Sequence, residues 1–320
     1  MFSGILKTRQ GHVEAQKPLA WVLKDSHGDK QGSANVSTTS TYLRSVFKPV
    51  QSTVLLHYLR QQDPSFFARI PPQAWVIASA SHSGEAVHQR WAQWWLDEAG
   101  ITREEAEACL VCGVHPPMAS AGGATPIPPN ILHHNCSGQH AMMLSLAKRL
   151  TLPWHNYHLP EHPFFQETLR FMERHASSLS PNQWATDGCR LPTPYLSLEQ
   201  TTDVMHGVLE DPLGHQLLTW MKEHPSLVAG CHRFDTILGQ LPWPIVSKGG
   251  AEGLVVLWHL EEQQTLVIKS LAGDATARDA FAWHVLAHVG WIPLETALEH
   301  APLMDDSPYA SVQSDLQFCV

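Results

Sequence analysis

Apolar residues return at helical spacing between Arg44 and Leu59 (Val46, Val50, Val54, Leu55, Leu59), a pattern that predicts a helix with one face in a core. Pro49, near its start, suits a first helical turn better than an interior. Upstream, Ala20 to Lys24 reads as a strand entering the turn Asp25-Ser26-His27-Gly28, and the Ser/Thr-rich stretch Ser33 to Thr41 as a loop or sheet edge. Ala74 to Ala80 reads as a buried strand running into the polar turn Ser81-His82-Ser83-Gly84. A helix follows from Glu85 to Ala99, with Val87, Trp91 and Trp94 or Trp95 on one face. Thr102 with Glu105 and Ser197 with Gln200 have capping-box spacing. From Ser137 to His224 the pattern is mostly helical. It then switches: Gly253 to Leu260 and Thr265 to Leu271 form a hairpin closed by Glu261 to Gln264, and Asp274 caps a long helix reaching Gly290. Strands at both ends around a helical middle predict an α+β fold. The expectation is one domain, 1–320, with a sheet subdomain from about 1–60 and 245–320 and a helical and mixed lobe from about 61–244, meeting at a cleft.

Composition narrows the function. With 320 residues, 43% hydrophobic and 16% charged, the chain can build a sizeable core. A net charge of -9 without a Lys/Arg cluster excludes a nucleic-acid footprint. The 21 histidines are scattered rather than arrayed as metal ligands. Apolar runs such as Leu254 to Trp258 fall far short of the roughly 20 residues that span a bilayer. Met1 to Gln10 lacks the apolar stretch of a signal peptide, so no membrane association and a cytoplasmic location are expected, with the six cysteines reduced.

Chemistry concentrates in a few segments. Ser45-Val46-Phe47-Lys48 sits at a loop-to-helix junction, where i and i+3 share a face. A serine hydroxyl is a poor nucleophile until a base takes its proton, and a lysine whose pKa is lowered can be that base. Ser-x-x-Lys alone says little, because it arises about once by chance in a chain this long. Ser145-Leu146-Ala147-Lys148 repeats it, with Ser145 in mid-helix and Lys148 in solvent. Ser81-His82-Ser83-Gly84-Glu85 is either an exposed reactive turn or a plain N-cap. Lys248, within Val246-Ser247-Lys248-Gly249-Gly250-Ala251-Glu252-Gly253, is either a solvated loop residue or a cleft residue flanked by small neighbours. If Lys48 and Lys248 converged, each would depress the other's pKa. Cys136, opening a helix, and Cys189, in the turn Thr186-Asp187-Gly188-Cys189, are read as buried thiols or as two ligands of a shared metal. Cys109-Leu110-Val111-Cys112 has no second pair at finger spacing and reads as core.

Taken together these segments resemble the rhizobial-type L-asparaginase II family, the class 3 asparaginases, which are similar in fold to serine β-lactamases and glutaminases. The blocks run in family order along nearly the whole chain. They begin with Gly11-His12-Val13-Glu14, Arg44 to Gln51 and Ala80 to Glu85, and continue with Cys112-Gly113-Val114-His115-Pro116, Asn135 to His140 and Tyr157-His158-Leu159-Pro160. The last are Thr186 to Cys189 with Leu191-Pro192-Thr193-Pro194, Val228-Ala229-Gly230, and Lys248 with Gly249 to Gly253.

The resemblance implies a β-lactamase-like α+β fold and two Ser–Lys tandems, Ser45 with Lys48 and Ser81 with Lys248. It implies cleavage of the side-chain amide of L-asparagine, giving L-aspartate and ammonia, and a homodimer. Arg44, His82, Glu85 and Asp187 are the candidates for holding the small amide substrate. Cys136 and Cys189 would be the thiolates of one zinc ion. The third ligand is usually a lysine three residues after the first cysteine, and Gln139 stands there instead, a weaker ligand. Ala15-Gln16-Lys17 also replaces a more polar run. Two other readings stay open: a glutamine-directed, β-lactam- or D-peptide-hydrolysing serine enzyme, and a catalytically silent binding relative.

Overall fold

The structure, a computed structural model, describes residues 3–10, 12–114, 128–177, 179 and 184–301, and the backbone alone of 315–319. Of the motif residues above, Gly11, His115 and Pro116 lie outside the described residues.

The strands are β1 (Gly4–Arg9), β2 (His12–Lys24), β3 (Lys30–Gly32), β4 (Ser40–Tyr42), β5 (Trp184–Thr186), β6 (Pro192–Ser197), β7 (Ile245–Gly249), β8 (Leu254–His259), β9 (Gln264–Ser270) and β10 (Asp315–Cys319). Early and late strands share one antiparallel sheet, ordered β10-β1-β2-β9-β8-β7 with β3 on β2; β4-β6-β5 form a second, small sheet. Side chains on a strand alternate between faces. In β2, Ala20 and Val22 therefore enter one apolar cluster while Leu19, Trp21 and Leu23 enter another. In β8, Leu254, Val256 and Trp258 join the first cluster, and Val255 and Leu257 the second. Both faces are covered, which is why these strands read as continuous apolar runs. The first cluster lies between sheet and helical lobe. The second is closed by helices Phe234–Gln240, Ala275–His288 and Leu294–His300.

Several sequence expectations hold. Both capping boxes form, at Thr102 with Glu105 and at Ser197 with Gln200. The hairpin is β8–β9, and Asp274 caps helix Ala275–His288 by accepting from Ala277 N. Others do not. Ala74 to Ala80 is not a strand but most of helix Pro72–Ser79. Pro72 is pre-set for a first helical turn. Its apolar run is buried on every side, which leaves no periodicity to distinguish helix from strand. Trp75 packs edge-on against Trp95, ring centroids 5.3 Å apart. The span 137–224 is mostly helical, as expected, with strands β5 and β6 set between its helices. Val246 to Gly249 is not a flexible loop; it lies in strand β7, which the sheet buries completely. Helix Lys48–Gln62 packs Val50, Val54, Leu55, Leu56 and Leu59 into the lobe-side cluster.

Candidate active site

Ser45 sits in a 3-10 turn, Arg44–Phe47, that leads directly into helix Lys48–Gln62. The turn is clamped by β6: Leu43 N donates to Pro194 O at 3.0 Å, and Arg44 N donates to Thr193 Oγ1 at 2.8 Å. Arg44 is held at φ +49°, an unfavourable backbone state for a residue with a Cβ and one that surrounding structure must enforce. The chain after β7 runs against the same turn. A Cβ on Gly250 would lie 3.0 Å from Val46 Cγ1 and 3.5 Å from Val46 N, so a small residue is required there.

Lys48 is 2% exposed. Its ammonium donates to Ala80 O at 2.5 Å and to Asn135 O at 3.5 Å, which pins it beside the residue preceding Ser81. Ser81 follows the end of helix Pro72–Ser79, and its N–H donates to Val228 O at 2.9 Å. Lys248 points from β7 towards this point, and its Nζ donates to Ser81 Oγ at 2.8 Å and to Gly249 O at 2.5 Å. Burial drives the Lys248 pKa down to about 7. The Lys48 and Arg233 charges push it the same way, against the upward pull of Asp235 and Cys136. Ser81, Lys248 and Lys48 thus meet in one buried place. Ser45 is half-buried and lines a small cavity with Arg44, Lys48, Gln51, Gln139, Asp187 and Cys189.

The substrate-binding candidates separate into two groups. Arg44 and Asp187 form an ion pair at that cavity, and Asp187 Oδ1 also accepts from Gly188 N at 2.7 Å. His82 and Glu85 are engaged elsewhere. His82 is fully buried, its Nδ1 accepting from Gly84 N at 3.1 Å and its Nε2 lying 3.1 Å from Ser137 Oγ. Burial, with the nearby His88 and Lys48, pushes its pKa well down, so it stays neutral. It fastens the segment after Ser81 to helix Ser137–Arg149. Glu85 accepts from Cys231 N at 3.0 Å and faces Gly230, where a Cβ would come within 2.6 Å of its Oε1.

The two expected zinc thiols are buried and hydrogen-bonded to one another. That contact, with the Lys48 charge, holds Cys136 well below the ordinary thiol range; the same contact, with burial, pushes Cys189 above it. Burial, with the nearby Cys136 charge, pushes Cys112 up to about 12. Gln139 Nε2 donates to Gln51 Oε1 at 2.5 Å, so its amide is committed to another amide. Among the described residues, no group of three or more His, Cys, Asp or Glu side chains is placed to hold a metal ion. Two thiols and a committed amide do not fit the four-donor tetrahedron zinc takes. No chemistry below is routed through a metal.

Nothing in the sequence marks Asp235, Thr193 or Cys112 individually as a site residue. Asp235 stands well upstream of Lys248 with no motif of its own, and only the packing of its helix against β7 brings it near. Thr193 lay inside the Leu191 to Pro194 block, which was the available signal.

A buried lysine near neutrality, hydrogen-bonded to a serine in an α+β frame, fits a hydrolase. The chain belongs to the L-asparaginase II family, whose sequence model matches residues 5–310, and is accordingly an amidohydrolase by family. No curated protein matches it significantly. Among solved structures it is similar to a β-lactamase from Desulfarculus baarsii, at 16% identity and TM-score 0.41 over 86% of this chain and 92% of that one. It is also similar to a β-lactamase from Streptosporangium roseum, at 14% identity and TM-score 0.43 over 86% and 94%. A third is simvastatin synthase from Aspergillus terreus, at 12% identity and TM-score 0.33 over 88% and 92%. Among the described residues no helix is long and apolar enough to cross a membrane.

Proposed function

We propose that the chain hydrolyses the side-chain amide of L-asparagine, with Ser45 as nucleophile and Lys248, acting through Ser81, as general base. The observation that carries this reading is the 2.8 Å contact between Lys248 Nζ and Ser81 Oγ, with the lysine held near neutrality. A neutral amine there can take a hydroxyl proton at physiological pH. Ser45 is preferred for attack because it lines the cavity beside Arg44 and Asp187, while Ser81 is 6% exposed and already holds Lys248.

In the proposed sequence, Ser45 Oγ bonds to the carboxamide carbon and its proton passes through the Ser81 hydroxyl to Lys248. As the C–N bond breaks, that proton is delivered to the leaving nitrogen and ammonia departs. Water then attacks the ester, loses a proton by the same route, and frees L-aspartate while Ser45 regains its hydrogen. Arg44 suits the substrate's α-carboxylate, and Asp187 its α-ammonium. Lys48, donating to two backbone carbonyls, supplies fixed positive charge beside the reacting oxygens. A homodimer in the cytoplasm belongs to the same proposal, and light scattering at micromolar concentration tests the assembly.

Ammonia release is to be measured on asparagine and glutamine beside a nitrocefin absorbance assay, with acid quenching during turnover followed by peptide mass spectrometry. Asparagine turnover with an aspartyl adduct on Ser45 is expected. Nitrocefin cleavage without amide turnover, or an adduct on Ser81, would overturn the respective part.

A further inference from the structure

On β7, Val246 and Lys248 face the cleft side, and Ile245, Ser247 and Gly249 face the opposite layer of helices. Behind the strand, at the start of helix Phe234–Gln240, lies Asp235, 6% exposed. Its Oδ1 accepts from the hydroxyl of Ser247 at 2.7 Å and from the N–H of Gly249 at 2.9 Å, the residues on either side of Lys248. A Cβ on Gly249 would stand 3.0 Å from Asp235 Oδ2, a tight contact that would displace the carboxylate by a few tenths of an ångström. A buried carboxylate costs several kcal/mol unless its lone pairs are satisfied, and the strand satisfies it on both sides of one lysine.

We infer that Asp235 is a positioning residue for Lys248: it grips β7 from behind, through the residues on either side of the lysine, and so fixes where the amine stands. This rests on the reading of Lys248 as the base. The charged groups around the two are few. Asp235 faces Lys248 through the strand, Arg233 just upstream on its own segment, and Arg278 and Asp279 from helix Ala275–His288. Lys248 is further subject to Lys48 and Cys136 from the cleft side. Of the groups acting on Lys248, Asp235 pulls its pKa upward most. Removing its charge while keeping its shape therefore leaves Lys248 deprotonated at lower pH.

The test follows the lysine itself, independently of turnover. Full-length enzyme carrying carbon-13-labelled lysine is titrated by NMR as wild type, Asp235→Asn and Ser247→Ala, alongside kcat/KM against pH. In Asp235→Asn the Lys248 midpoint and the acid limb of kcat/KM should both move down by about one unit. In Ser247→Ala the plateau of kcat should fall several-fold with the midpoint in place. Gly249→Ala, which crowds the carboxylate, serves if Asp235→Asn does not fold, and should lower the midpoint in the same direction. An unmoved lysine midpoint in Asp235→Asn, or in Gly249→Ala where that variant stands in, overturns the inference. A moved midpoint in a protein that hydrolyses no amide keeps the placement of Asp235 and sinks the catalytic reading instead.

Discussion

Ser45 with Lys48 and Ser145 with Lys148 have the same spacing and residue types, and the fold sends them to opposite fates. Ser145 is buried in the middle of helix Ser137–Arg149, its hydroxyl without a partner among the described residues. Lys148 leaves the same helix for the surface, donating to Glu105 Oε2 at 3.1 Å and lying over the Trp154 ring. Ser45 instead stands in a strained turn before its helix. Lys48 is buried against two backbone carbonyls, beside a second lysine and a pair of thiols. Spacing along the chain places a hydroxyl and an amine on one face of a helix. What frees an amine for proton transfer is the removal of water and the presence of other cations, and the fold supplies both at Lys248, far along the chain from either serine pair.

The comparison is broken most directly by paired alanine variants. Ser45→Ala should lower kcat for ammonia release by about 10³-fold or more, whereas Ser145→Ala should leave it within two-fold by the same assay, an effect typical of a site remote from the chemistry. Equal losses would mean that position in the fold decides nothing. Next in size, Lys248→Met should lower kcat by about 10²–10⁴-fold while stabilising the fold against urea by up to about 4 kcal/mol at pH 7, less what the lost hydrogen bonds contributed. Lys148→Met should change neither appreciably. The sign follows from linkage. Lys248 titrates near 7 when folded against an ordinary value of 10.5, so between those values the unfolded chain binds more protons and stability rises with pH. In Lys248→Met that rise should vanish from the unfolding midpoints.

A smaller effect sharpens the picture of the base. Wild-type kcat/KM should climb with pH through a midpoint near 7, as Lys248 loses its proton. A profile flat from pH 6 to 9 would remove Lys248 from that role. The least dramatic change concerns the thiols. Purified enzyme should hold well under one zinc per chain by elemental analysis, and Gln139→Lys, by adding a third donor beside Cys136 and Cys189, should raise that content. Full occupancy in the wild type would show that two thiols and an amide suffice.

The sequence alone determined a good deal: the order of strands, helical middle and strands, both capping boxes, the β8–β9 hairpin, and the family, carried by short blocks in a fixed order. These are readable because capping, turn chemistry and side-chain alternation act over a few residues. It misread Ala74 to Ala80, where burial on all sides erased the period, and left Lys248 between a solvated loop and a cleft position because a strand of small and polar residues carries little alternation. Only the tertiary structure decided that Lys248 reaches Ser81, that Asp235 stands behind it, and that His82 is locked in a structural contact rather than turned to the cavity. Those outcomes depend on dielectric and on charges brought from distant segments, and a linear chain holds neither until it folds.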